Sequence, residues 1–235
     1  MPKYLNPAPP GNWWDISWNP MTGCEHGPEI CSCPNICWAR AMAKRFKQDF
    51  KPAIHPERFD VRFDRLEPSN IFVCDMGDLF GERVPYEWIE SILWICEENQ
   101  QHKFLFLTKN PERYNRYVFP LNCWIGTSIT KPSELFRIEQ LHDFCHGREK
   151  YFVSFEPLLE KIGYDDLIKY KWINIQWVII GGFSGRQKLS NPDCHPAIYA
   201  LYLRHFFEDI KIPVFIKDNL GWKKPLKQFP EGLNL

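Results

Sequence analysis

Six short, unbroken apolar runs punctuate the chain: IFVC (71–74), FLFL (104–107), CWIG (123–126), YFVSF (151–155), WVII (177–180) and VFI (214–216). Runs that do not alternate with polar residues mark strands covered on both faces, as in parallel sheets flanked by helices. Between them lie stretches with helical spacing, at 86–99, 111–117, 133–144, 165–170 and 195–210. The first places Trp88, Ile92 and Ile95 on one face and begins after Pro85, a good first-turn residue. A further strand is expected at 14–19, and CWARAMAKRFKQDF (37–50) reads as a helix that follows it. Residues 51–69 look like irregular surface turns and a short helix. The result is about seven βα units. The expected fold is therefore α/β, a complete or partial (β/α) barrel, with an open doubly wound sheet as the alternative. No Gly/Ser tract divides the 235 residues, so one domain over 1–235 is expected.

Four of the nine cysteines, Cys24, Cys31, Cys33 and Cys37, fall within fourteen residues, with His26 among them. Pro20, Gly23, Gly27, Pro28 and Pro34 rule out a regular helix or strand there, which leaves a loop at 20–37 between the first strand and the first helix. Thiolates this concentrated can converge on zinc or an iron–sulfur cluster. Spacing alone leaves three readings open. A structural zinc site would use four of these five side chains, although paired C-x2-C knuckles are missing. An iron–sulfur cluster could take all four cysteines, or take three and leave one iron open. Cys74, Cys96, Cys123, Cys145 and Cys194 are scattered singly and are expected to be reduced, buried and inert. An odd total in a chain of this size is no disulfide framework.

A hydrophobic share of 44% with 16% aromatics argues against disorder. Formal net charge is zero, so a nucleic-acid partner would have to be drawn by a local basic groove. No run of about 18 apolar residues is present, and MPKYLNPAPPGNWW lacks an apolar signal-peptide core. The expectation is a cytoplasmic protein with no membrane partner.

In such barrels, chemistry collects where strands end and loops begin. IFVC runs into Asp75-Met76-Gly77-Asp78, FLFL into Thr108-Lys109-Asn110 and CWIG into Thr127-Ser128. YFVSF gives Glu156-Pro157, WVII gives Gly181-Gly182 with Ser184-Gly185, and VFI gives Lys217-Asp218-Asn219. Each has a plainer explanation. Asp75 or Asp78 could cap a turn, Thr108 with Asn110-Pro111 could start a helix, and Lys109 and Lys217 could reach solvent. Glu156 is the sharper signal, because a carboxylate closing so apolar a strand needs a partner. GGFSG lacks the GxGxxG dinucleotide pattern. The argument is their shared location, with Glu156, Lys109 and Lys217 as catalytic candidates.

WNPMTGC followed by CWARAMAKR resembles the WNPxTGC…C(Y/W)A opening of an uncharacterised phage-protein family grouped with radical SAM-like proteins. The resemblance continues through FVCDMGDLFGERVP, FLFLTKNPERY, CWIGTSI, FVSFEPLL, WVIIGGFSG and PVFIKDNLGW, in the family's order over nearly the whole chain. It implies a radical SAM-type partial barrel with a [4Fe-4S] cluster on the first βα loop. The open iron would chelate S-adenosylmethionine, whose reductive cleavage yields a 5′-deoxyadenosyl radical. The same resemblance implies that Asp75, Met76, Gly77 and Asp78 lie near the cofactor's methionine. Thr108, Thr127, Ser128, Gly181 and Gly182 complete the cofactor-binding candidates.

Two departures matter. The family commonly spaces its cysteines C-x6-C-x2-C-Tyr-Ala; counting from Cys24 selects Cys31, but counting back from Cys37 lands on Pro34. Cys24, Cys31 and Cys37 are the expected ligands, with Cys33 as an extra or substitute. Four thiolates on one cluster would leave no iron open. The family's GGESG is GGFSG here, so Phe183 removes a carboxylate whose role is either lost or moved, with Glu156 as the candidate to take it. The expected function is a radical SAM enzyme that modifies or repairs an unidentified substrate, nucleic acid first, and draws on an electron donor. The alternative is a non-catalytic iron–sulfur or zinc protein that binds nucleic acid or a protein partner.

Overall fold

A computed structural model describes residues 2–32, 37–142, 150–183 and 194–233. The strands are β1 (Leu5–Pro7), β2 (Ile16–Trp18), β3 (Met21–Thr22), β4 (Ala53–Ile54), β5 (Asn70–Val73), β6 (Lys103–Thr108), β7 (Cys123–Ser128), β8 (Lys150–Phe155), β9 (Ile175–Ile180) and β10 (Val214–Ile216). The α-helices are α1 (Trp38–Arg45), α2 (Tyr86–Glu98), α3 (Arg137–His142), α4 (Tyr164–Leu167) and α5 (Pro196–Asp209). Among the described residues, an eight-stranded sheet runs β1-β2-β5-β6-β7-β8-β9-β10, and β3 pairs with β4 apart from it. From β2 to β10 every neighbouring pair is parallel; only β1 is antiparallel to β2. All six apolar runs are strands of this sheet. No pairing among the described residues joins β1 to β10, so the sheet keeps two edges.

Period-two geometry sorts the strand residues into two apolar clusters. Phe104, Phe106, Ile125, Val153, Val178 and Ile216 pack into the larger one with Ile89, Ile92 and Cys96 of α2 and Leu203 and Phe207 of α5. Leu105, Trp124, Phe152, Trp177, Ile179 and Phe215 point the other way and meet Trp13 and Leu233. Trp13 shows how far the sheet curls. Its ring lies 4.8 Å from Phe72 of β5 and 5.9 Å from Trp177 of β9. On a flat sheet those strands, four spacings apart, would be about 19 Å from each other. The sheet therefore wraps around Trp13, and its concave side is filled with rings.

Helix α2 matches its sequence pattern; the others differ in extent. Residues 111–116 form a 3₁₀ helix, and the 133–144 segment becomes a 3₁₀ turn at 132–134 followed by α3, its last two positions falling outside the described residues. The 165–170 helix is the single turn α4. Helix α1 ends at Arg45 rather than near Phe50. Lys47 adopts φ 55°, the Lys47 amide bonds to Lys44 O, and the Gln48 amide bonds to Ala43 O. This is a Schellman ending built on lysine, so the glycine that normally signals it is missing from the sequence. The turn sends residues 49–54 back, where Ile54 pairs with Met21 and Phe50 O accepts the Cys24 amide at 2.8 Å.

Cys74, Cys96 and Cys123 are buried as expected, whereas Cys194 is half-buried and Cys145 lies outside the described residues. No helix among the described residues is long and apolar enough to cross a membrane.

Trp13→Ala should cost about 3–5 kcal/mol, the range for truncating a fully buried aromatic. Trp94→Ala, at a ring 65% exposed, should stay within about 0.5 kcal/mol. Urea denaturation of both variants checks this pair.

Candidate metal and cofactor site

The cysteine loop is laid against the loop that follows β5. Gly23 (φ 90°) forms a bridge with Gly77, the Gly23 amide donates to Met76 O at 3.0 Å, and the Asp78 amide donates to Gly23 O at 3.3 Å. A Cβ on Gly23 would sit 2.1 Å from Lys51 O, and one on Gly77 would sit 2.5 Å from Gly23 O. Only glycine lets three backbone segments cross this closely.

Two buried side-chain clusters then fix the loop on either side of its middle. The first is centred on Asp78. Its Oδ1 accepts from Thr108 Oγ1 (2.6 Å) and Phe80 N (3.1 Å), and its Oδ2 accepts from His26 Nε2 (2.7 Å) and Lys109 N (3.0 Å). Burial pushes the Asp78 carboxyl up, but the facing His26 charge and these hydrogen bonds outweigh it and hold the group below the usual carboxylate range. Burial likewise works against charge on His26, yet Asp78 raises its imidazole above the ordinary value. The second cluster is Glu134 with Arg137. Glu134 Oε1 accepts from Ser32 Oγ (2.6 Å), and its Oε2 takes Thr130 N (2.7 Å), Thr130 Oγ1 (2.9 Å) and Arg137 Nη1 (3.1 Å). Arg137 also donates to Ser128 O at 2.6 Å and to Ile30 O. Cys31 is thus bracketed by two residues whose groups are held by a buried ion pair.

Cys24, Cys31 and Cys37 all line one cavity of about 240 Å³ at the C-terminal ends of the parallel strands. Cys33 lies outside the described residues. Cys24 Sγ accepts the His26 amide at 3.4 Å, and Cys37 Sγ, at the N-terminus of α1, accepts the Arg40 amide at 3.5 Å. Burial first, and Asp78 second, pushes the Cys24 thiol up to about 12; coordination to a metal reverses such a preference, because the bound ligand is the thiolate. Among the described residues no three His, Cys, Asp or Glu side chains gather closely enough to grip a single metal ion. A cubane cluster spreads its thiolates over separate corners, so three cysteines around one cavity fit it better than they fit one ion. Ser154, fully buried in the same cavity wall, has a hydroxyl with no protein partner, which suits a polar ligand.

Most of the expected strand-end residues meet here. Asp75, Gly77, Asp78, Thr108, Lys109, Ser128, Glu156 and Gly182 line the same cavity. Glu156 has the partner that burial demands: Lys217 Nζ at 2.5 Å, with side chains 17% and 13% exposed. A Cβ on Gly181 would stand 2.9 Å from the Glu156 carboxyl carbon, so the missing side chain makes room for the pair. Met76 and Lys217 border a second cavity, of about 530 Å³, which shares Trp38, Phe72, Asp75, Leu107 and Glu156 with the first. Thr127 lines neither; its hydroxyl donates to Thr108 O at 3.0 Å. Ser184 and Gly185 lie outside the described residues. Asp75 is held by Ser17 Oγ (2.7 Å) and Asn19 Nδ2 (2.6 Å), residues that sequence reasoning passed over. Ser154 was legible, since it shares a strand face with Phe152 and Glu156. Glu134 and Arg137 carried no local signal.

Glu134→Gln removes charge-assisted bonds worth about 1.5–3 kcal/mol each. Amide exchange over residues 27–32 should quicken about tenfold or more, while β6 to β9 stay protected. Hydrogen-exchange mass spectrometry reads both regions at once.

The fold has solved counterparts. A spore photoproduct lyase variant with bound AdoMet and dinucleoside spore photoproduct superposes with TM-score 0.60 at 10% identity, over 90% of this chain and 78% of that one. A variant with dinucleoside spore photoproduct gives 0.60 at 9%, and a third variant gives 0.59 at 10%, with the same coverage. At such identities the likeness is one of fold alone. No curated protein matches the chain in sequence. The match of residues 11–228 to the family model described as "Protein of unknown function (DUF5131)" shows that the chain belongs to that family.

Proposed function

We propose that this protein is a radical SAM enzyme that carries a [4Fe-4S] cluster and modifies or repairs a nucleic-acid substrate. The observation that carries the reading is the meeting of Cys24, Cys31 and Cys37 on one cavity at the strand ends, beside an unpartnered Ser154 hydroxyl. The likeness in fold to an enzyme solved with bound AdoMet supports it. Cys24, Cys31 and Cys37 hold the cluster, and Cys33 is dispensable. When bound and reduced, the cluster supplies one electron for cleaving S-adenosylmethionine to methionine and a 5′-deoxyadenosyl radical that abstracts hydrogen from the substrate.

This chain's own residues do the rest. Asp75, fixed by Ser17 and Asn19, offers negative charge to the cofactor's amino group. Asp78 has both oxygens committed, so its part is to hold the cysteine loop against β5 and β6. Ser128 and Ser154 offer hydroxyls to the cofactor, and Gly77 and Gly182 allow close approach. Glu156 and Lys217 stand between the two cavities and are the pair placed to hold or move a proton at the substrate, with Lys109 on the cofactor side. A cluster and reduced thiols require a reducing compartment, so the protein works in the cytoplasm with an electron donor. The sequence blocks support reading it as a one-domain member of the phage-protein family they resemble.

Anaerobically reconstituted protein should contain about four irons and four sulfides per chain. Cys24→Ala, Cys31→Ala and Cys37→Ala should each abolish the cluster, and Cys33→Ala should keep it. Stoichiometric zinc without iron, or equal loss at all four positions, would sink the reading. S-adenosylmethionine should perturb the paramagnetic resonance signal of the reduced protein, and Asp75→Asn should weaken that response while the iron content stays. Asp78→Asn should lower the iron content instead.

A further inference from the structure

We propose that the 530 Å³ cavity is a stacking pocket for one unpaired, uncharged nucleobase, an inference that deepens the substrate assignment above and rests on it. Three partly exposed aromatic side chains border it. Trp14 and Phe72 are half-buried and lie 5.2 Å apart, and Trp38 is 44% exposed. Among the described residues Trp38 makes no ring–ring contact, whereas Trp13, Trp18, Trp172 and Trp177 are buried against other rings. Exposed rings that converge on a cavity offer the apolar, planar faces on which bases stack.

The polar groups of the wall narrow the ligand class. Its charged residues are Asp75, Glu156 and Lys217, and the single cation is neutralised by Glu156 at 2.5 Å. With Asp75 added, the wall is net negative, the wrong sign for a phosphate. What it offers is an edge: Lys217 donates, Glu156 accepts, and Lys217 Nζ lies 5.5 Å from the centre of the Trp14 ring. A neutral heterocycle with donors and acceptors around a flat face matches that combination. A base inside a duplex has both faces covered by its stacked neighbours, so a base within a strand must leave the stack and enter unpaired to lie against these rings. Because the cavity shares Trp38, Phe72 and Glu156 with the cysteine-lined one, a base held there lies next to the cofactor.

Equilibrium dialysis of the full-length chain with each of four labelled deoxynucleosides, with and without saturating S-adenosylmethionine, tests the proposal. At least one nucleoside should bind, without competing with the cofactor and with almost no dependence on salt, since no phosphate is neutralised. Trp14→Leu and Trp38→Leu should each weaken it by about fivefold or more, the lower end of what one stacking partner contributes. Trp38→Leu guards against a folding artefact, because that ring is exposed. Iron content and the cofactor-induced resonance change should persist in Trp14→Leu, which separates failure of the pocket from failure of the enzyme reading. Single-stranded and duplex DNA of one sequence then identify the source: tighter binding of the single strand points to a base in a chain, and no gain over the nucleoside points to a free nucleoside. No binding by any nucleoside, competition with S-adenosylmethionine, unchanged affinity in both variants, or duplex binding equal to the single strand would each overturn it.

Discussion

Asp78 holds a negative charge where water is nearly excluded, and it can do so only because four donors converge on it from different parts of the chain. One comes from the cysteine loop, one from its own loop after β5, and two from the end of β6. Removing any of them would leave a buried carboxylate short of a partner, a state far costlier than a lost surface bond. The arrangement therefore acts as a unit. Close crossing of Gly23 and Gly77 brings the loops together, and the carboxylate keeps them in register. Glu134 and Arg137 repeat the logic further along, fastening Ile30 and Ser32 to the loop after β7. Between the two anchors lie residues 27–29, and Cys31 sits inside the second.

The sheet supplies the platform. Along the middle of the strands the inward positions Leu105, Trp124, Phe152, Trp177 and Phe215 are filled by rings and a large aliphatic group. Toward the C-terminal ends the same face turns polar: Phe152 gives way to Ser154 and then Glu156, and Phe215 gives way to Lys217. This gradient, two residues per step, is why the polar-walled cavities lie at one end of the sheet. It also explains how an ion pair is tolerated among so many apolar side chains, since Glu156 and Lys217 neutralise each other at the border of two cavities rather than in the floor beneath them.

Much of this was legible in the sequence, for identifiable reasons. Parallel strands need both faces covered, and that leaves unbroken apolar runs that cannot be mistaken for amphipathic strands. Strand ends were therefore readable, and with them Asp75, Asp78, Glu156 and Lys217. What was hidden depended on contacts distant in sequence. Ser32 meets Glu134, and Ser17 and Asn19 meet Asp75; none of these pairs leaves a local pattern. The end of α1 was hidden for another reason, because its left-handed residue is Lys47 and no glycine marks the turn. Thr127, read as a strand-end ligand, proved to face Thr108 O, one residue out of phase with Ser128.

The ring-filled interior has a consequence for how the chain acquires its shape. Trp13 and Leu233 occupy the same cluster, and the Asn70 side chain donates to Leu233 O at 3.2 Å. The interior cannot be completed until segments this remote in sequence have met, and closing such long loops slows folding. Neighbouring strands and the helices between them can pack early, from local contacts. During synthesis on the ribosome, the concave face would wait, aromatic and uncovered, until the segment around Leu233 arrived. That interval is when the protein is most exposed to aggregation, and when a chaperone would have most to cover.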